Sequence, residues 1–77
     1  MYILYTRKGC PHSKDVIDFA HKKHIEFKEK DIADSVVKEE LISRGGKEQT
    51  PYFVDDTHDV SMYESKLIIA YMSEHQK

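Results

Sequence analysis

The only cysteine of the sequence, Cys10, stands in the stretch Thr6-Arg7-Lys8-Gly9-Cys10-Pro11-His12-Ser13, between a short apolar run and the start of a helical pattern. Proline suits the first position of a helix, where its missing N–H costs nothing, so Pro11 puts Cys10 at or beside the N-cap. A sulfur there faces unpaired backbone N–H groups and the positive end of the helix dipole, which favour thiolate over thiol. Arg7 and Lys8 push the same way and are the expected thiolate-stabilising side chains. Free cysteines most often pack as small apolar residues, but a polar, basic loop against a helix-opening proline suits a nucleophile instead. The expected pKa lies below the free value of about 8.5, within the roughly 3.5 to 7.5 spanned by helix-start cysteines. Such a thiolate attacks a disulfide sulfur and leaves readily in the return step. With no second cysteine in the chain, any disulfide it forms is mixed with another molecule.

The other candidate groups are less distinctive taken singly. His12 is placed to tune the thiol, with proton transfer as a second use, and Ser13 reads as a first-turn helix residue. Thr50-Pro51 precedes an apolar run, and a proline at the first residue of a strand gives up no needed ladder hydrogen bond. Glu64-Ser65 lies where the last helix begins, although Ser61-x-x-Glu64 also fits a capping box. His21-x-x-His24 has possible ligand spacing, yet no second cysteine or carboxylate cluster completes a set of four, so no metal is expected. Tyr5, Tyr52, Phe53, Tyr63 and Tyr71 are expected in the core or along a groove; no basic stripe accompanies them, as stacking on nucleobases would require.

The elements that must position these residues follow from periodicity. Tyr2 to Tyr5 predicts a strand, apolar on both faces like a central one. From Pro11 to about Lys23, Val16, Ile17, Phe19 and Ala20 recur at helical spacing with charged residues opposite. Ile25 to Lys30 alternates apolar and charged, and Ile32 follows, which predicts a half-exposed edge strand. Asp34 or Ser35 caps a second helix whose apolar side holds Val36, Val37, Leu41 and Ile42, and Gly45-Gly46 ends it. Tyr52 to Val54 and Asp59 to Met62 form a hairpin around the turn Asp55-Asp56-Thr57-His58. A last helix starts between Tyr63 and Ser65, buries Leu67, Ile68, Tyr71 and Met72, and finishes in the polar tail His75-Gln76-Lys77. The order βαβαββα predicts an α/β fold, a four-stranded mixed sheet with helices on both faces.

Size and charge narrow the partners. The 77 residues suit a single domain over 1–77 with one modest core. Twelve Lys+Arg against 14 Asp+Glu leave a formal net charge of -2, which gives no electrostatic case for nucleic acid or an anionic membrane. The apolar run after Met1 is too short for a signal-peptide core or a membrane span, so a cytoplasmic protein is expected.

Strand, loop, Cys-Pro-x-Ser and helix, with Thr-Pro later before a hairpin, resemble a glutaredoxin of the thioredoxin-like superfamily along the whole chain. The segment Met62-Tyr63-Glu64-Ser65-Lys66-Leu67 departs from the Gly-Gly segment of many glutaredoxins and is similar to the Glu-Ser segment of the glutathione S-transferase N-terminal domain. Both resemblances imply glutathione as co-substrate, with no metal. They imply Cys10 as the catalytic residue in the motif Cys10-Pro11-His12-Ser13, a cis bond at Thr50-Pro51, and glutathione contacts from Lys8, Gln49, Thr50, Pro51, Glu64 and Ser65. Arg44 and Lys47 are further candidates for a glutathione carboxylate. Ser13 stands where dithiol members carry a resolving cysteine, so the implied activity is a monothiol one. Glutathione mixed disulfides of proteins or small molecules are reduced through a Cys10–glutathione intermediate, by a monomer. The alternatives are a glutathione-ligated two-iron, two-sulfur cluster module and a glutathione-binding transferase-like domain.

Overall fold

The structure, a computed structural model, describes residues 1–75; of the expected polar tail, Gln76 and Lys77 lie outside the described residues. Its elements follow the expected order: β1 (Tyr2–Thr6), α1 (Pro11–Lys22), β2 (Lys28–Asp31), α2 (Ser35–Gly45), β3 (Tyr52–Asp55), β4 (Val60–Met62) and α3 (Ser65–His75). The sheet runs β2-β1-β3-β4. β1 is parallel to β2 and antiparallel to β3, which pairs with β4 as a hairpin. The fold is thioredoxin-like, with two central strands covered on both faces.

Strand alternation sorts the core into two layers. Leu4 and Phe53 turn to one face and pack with Val16 and Ala20 of α1 and Ile68 and Met72 of α3. Ile3, Tyr5, Tyr52 and Val54 turn to the other and pack with Leu41 of α2 and with Ile32. Because β1 and β3 bury both faces, they read as near-continuous apolar runs rather than alternating ones.

Several expectations are corrected. The alternation at Ile25 and Phe27 belongs to the connection after α1, which turns through His24 at φ 56 and plugs Ile25 into the α1 core. β2 itself is the charged run Lys28 to Asp31, as suits a sheet edge. The helical spacing of His21 and His24 is lost, because α1 ends at Lys22. On α2 the buried ridge is Val37 and Leu41, leaving Val36 and Ile42 exposed. On α3, Leu67 is exposed while Ile68 and Met72 face the sheet. Asp55 is the buried last residue of β3 instead of a turn residue.

Candidate functional site

The loop after β1 is built to end in a helix cap. The Cys10 amide donates to the Arg7 carbonyl at 3.0 Å, and Gly9 supplies the left-handed conformation, φ 85, that this turn requires. Cys10 is the N-cap of α1, in extended conformation at φ -82 and ψ 114, with Pro11 opening the helix. The sulfur makes no capping hydrogen bond, so the thiol is left for chemistry.

The largest single influence on this thiol is burial, which raises its pKa. Against it stand the Ser13 hydroxyl and amide, the Thr50 side chain and the His12 amide, and together they bring the value down to about 7. These are neutral dipoles aimed at the sulfur. Arg7 and Lys8, the cations expected to stabilise the thiolate, are exposed. Ser13 is only 2% exposed, and its buried hydroxyl has no hydrogen-bond partner among the described residues.

The Thr50-Pro51 bond is cis, and the Thr50 carbonyl oxygen lies 4.0 Å from Cys10 Sγ. From there a groove of about 460 Å³ runs along the start of α3, lined by His12, Gln49, Thr50, Pro51, Tyr63, Glu64 and Ser65 among others. Of the six residues expected to hold glutathione, this groove gathers Gln49, Thr50, Pro51, Glu64 and Ser65. Lys8 lies elsewhere, in a second hollow of about 540 Å³ that Cys10 itself lines together with Arg7, Lys14 and Ile17, whereas the α3 groove meets the thiol only through its neighbours His12 and Thr50. Ser61 pairs with Val54 inside β4, which removes the capping-box reading of Ser61 and Glu64. The Glu64 carbonyl accepts from Ile68 in the first turn of α3. The amides of that turn have no partner within the helix and suit a carboxylate. Arg44 is drawn to Glu40, at 3.8 Å. Lys47 sits beside the groove, its ammonium 5.1 Å from the centre of the Tyr63 ring.

Sequence reasoning missed two polar clusters away from Cys10. Glu40 accepts from the Tyr5 hydroxyl and from Lys30, the latter at 2.7 Å. Asp55 is held by the Tyr71 hydroxyl at 2.6 Å, by His58 Nδ1 at 2.8 Å and by the Thr57 amide at 3.1 Å. Spacing gives no signal for Glu40 with Tyr5 and Lys30, or for Asp55 with Tyr71, since those partners come from different elements; Thr57 and His58 follow Asp55 locally.

A four-stranded mixed sheet, a thiol at the N-cap of α1 and a cis-proline facing it define a thioredoxin-like thiol oxidoreductase. The chain belongs to the glutaredoxin family, whose sequence profile matches residues 2–59. That family places it in a glutathione-related redox role. The matched span stops short of Glu64-Ser65, within the segment that departs from many glutaredoxins. Among solved structures, the chain is similar to a glutaredoxin from Brucella melitensis, 27% identical with a TM-score of 0.69 over 96% of this chain and 79% of that one. It is also similar to a glutathione S-transferase from the Antarctic clam Laternula elliptica, 29% identical with a TM-score of 0.79, over 95% of this chain and 34% of the transferase. The thioredoxin-like protein BC3987, 22% identical, shares the fold at a TM-score of 0.73 over 88% of this chain and 94% of its own. No curated protein sequence matches the chain significantly.

Proposed function

We propose that this protein is a monothiol glutaredoxin that reduces glutathione mixed disulfides. The observation that carries the reading is a lone thiolate-favouring cysteine at the start of α1, its sulfur 4.0 Å from the carbonyl of Thr50, a residue that lines a groove fit for a γ-glutamyl peptide. The Cys10 thiolate attacks the glutathione sulfur of a glutathionylated protein. A Cys10–glutathione disulfide forms, the original S–S bond breaks, and the protein thiolate departs and takes up a proton. A second glutathione, deprotonated, attacks the glutathione sulfur of that intermediate, releasing oxidised glutathione and restoring the Cys10 thiolate. One protein cysteine is reduced and one free glutathione is oxidised, the other half of the released disulfide being the glutathionyl group that the protein carried. Ser13 supplies no thiol, so the intermediate cannot be resolved within the chain.

In the groove, the Thr50 backbone pairs with the cysteinyl unit like a short added strand. The first-turn amides of α3 and the Ser65 hydroxyl receive the γ-glutamyl carboxylate, while Glu64 accepts from its ammonium. Gln49 and Lys47 stand where the glycyl end would lie. Brief exposure to oxidised glutathione followed by mass spectrometry should show one glutathione adduct, on Cys10. Cys10→Ser should abolish both the adduct and the reduction of a glutathionylated peptide. Full activity in Cys10→Ser would refute the mechanism.

A further inference from the structure

Gly45 presents a puzzle of sequence economy. It is the last residue of α2, and the left-handed C-cap conformation, φ 88, belongs to its neighbour Gly46. Gly45 is not among the residues with positive φ. Its backbone conformation is open to any residue, and alanine would favour the helix more, by up to about 1 kcal/mol in an interior position.

The reason for glycine is lateral. A Cβ on Gly45 would collide with Tyr63 Oη and lie 2.7 Å from Cζ and 3.1 Å from Cε2. The Tyr63 ring is fixed on its other sides. Its hydroxyl donates to the Lys47 carbonyl at 3.0 Å, the Lys47 ammonium lies 5.1 Å from its centre, and the Tyr52 ring lies 4.5 Å away. A ring so held cannot yield to a new methyl group without giving up these contacts. Tyr63 in turn lines the groove with Thr50, Pro51 and Ser65.

We infer that Gly45 is a positioning residue of the glutathione groove: by omitting a side chain at the end of α2, it lets Tyr63 lie there as a wall of the site. The inference rests on the glutathione reading of the groove and extends it to two residues outside the Cys-Pro-x-Ser and Thr-Pro motifs. Gly45 acts on the ligand only through Tyr63, and neither residue touches the sulfur chemistry.

The test uses Gly45→Ala, Tyr63→Ala and the double variant. Affinity is read by calorimetry with S-methylglutathione, which cannot exchange disulfides, and steady-state kinetics are read with a glutathionylated peptide. Gly45→Ala should raise both the dissociation constant and KM by roughly three- to tenfold, the cost of displacing one aromatic contact. Its kcat should stay within about twofold of the native value, because the groups around Cys10 are untouched. In the Tyr63→Ala background the added methyl meets no ring, so the double variant should bind no worse than Tyr63→Ala alone. That comparison holds even if Gly45→Ala alone folds poorly. Native affinity in Gly45→Ala, or a further loss in the double variant, would overturn the assignment while leaving the glutathione reading intact. Absence of S-methylglutathione binding by the native protein would overturn the glutathione reading and the assignment with it.

Discussion

A buried hydroxyl without a partner costs about 1 to 3 kcal/mol, and Ser13 carries one beside the reactive sulfur. The thiolate form of Cys10 offers that hydroxyl an acceptor; the thiol form offers much less. Part of the folding cost of Ser13 is therefore recovered when Cys10 ionises, which lowers the thiol to about 7 against the upward push of burial. Half of Cys10 is then thiolate near neutral pH, and alkylation by iodoacetamide should reach half its maximal rate there. Ser13→Ala should move that midpoint upward, toward the free value of about 8.5, with rates converging on the native ones above it. Arg7→Ala and Lys8→Ala should move it less, since solvent screens exposed charges. An unchanged midpoint in Ser13→Ala would remove Ser13 as a source of the shift. The position that lacks the sulfur a dithiol route would need is, on this account, also the one that readies the thiol of Cys10.

Between elements, the largest unforeseen feature is the carboxylate that ties α3 to the end of β3. Asp55 is 1% exposed. Burial raises its pKa, but the Tyr71 hydroxyl and His58 outweigh that and hold it below the ordinary carboxylate range. The same bond, with burial adding to it, pushes Tyr71 up to about 12. Tyr71→Phe should destabilise the fold by about 1 to 3 kcal/mol, read by urea denaturation at neutral pH, because a buried anion loses a donor. A carboxyl with a depressed folded pKa stabilises above its unfolded value, near 3.9, and that contribution fades as pH falls through the folded value. Asp55→Asn should therefore flatten the acid limb of the stability profile. A profile of native shape in Asp55→Asn would count against the assignment. Asp55-Asp56-Thr57-His58 reads as a turn because Asp and Thr make local turns readily, whereas Tyr71 becomes the partner of Asp55 only once α3 packs on the sheet. The same limit explains Val36 and Leu67. Their apolar character is visible in the sequence, but which ridge of a short helix meets the sheet depends on crossing geometry. β1, α1 and β3 were legible because their burial pattern is local and long enough to repeat.

At the scale of the whole molecule, the groove draws on three separate stretches: the start of α1 through His12, the segment leading into β3 through Gln49, Thr50 and Pro51, and the start of α3 through Glu64 and Ser65. The motifs that marked these stretches were legible because each sits at an element boundary, where backbone groups are left unpaired. Tyr63 was expected in the core or along a groove and lines this one, but its pairing with Gly45 was not legible, since their meeting depends on the end of α2 reaching the strand-to-helix turn. A ligand that bridges all three stretches binds only the assembled fold, and it must stabilise that fold by mass action. At a free concentration of about one hundred times its dissociation constant the gain is about 2.7 kcal/mol. For a domain of this size each kcal/mol is worth roughly 4 to 8 °C in Tm, so the shift should be on the order of 10 °C or more. S-methylglutathione should produce it in the native protein and equally in Cys10→Ser, because the contacts named lie along the groove and not at the sulfur. A shift that disappears in Cys10→Ser would place the binding energy at the thiol instead, and the groove would then hold little of the ligand. Reduced glutathione in place of the methylated form should give the same shift in both proteins, which separates recognition of the peptide from the disulfide chemistry that follows it.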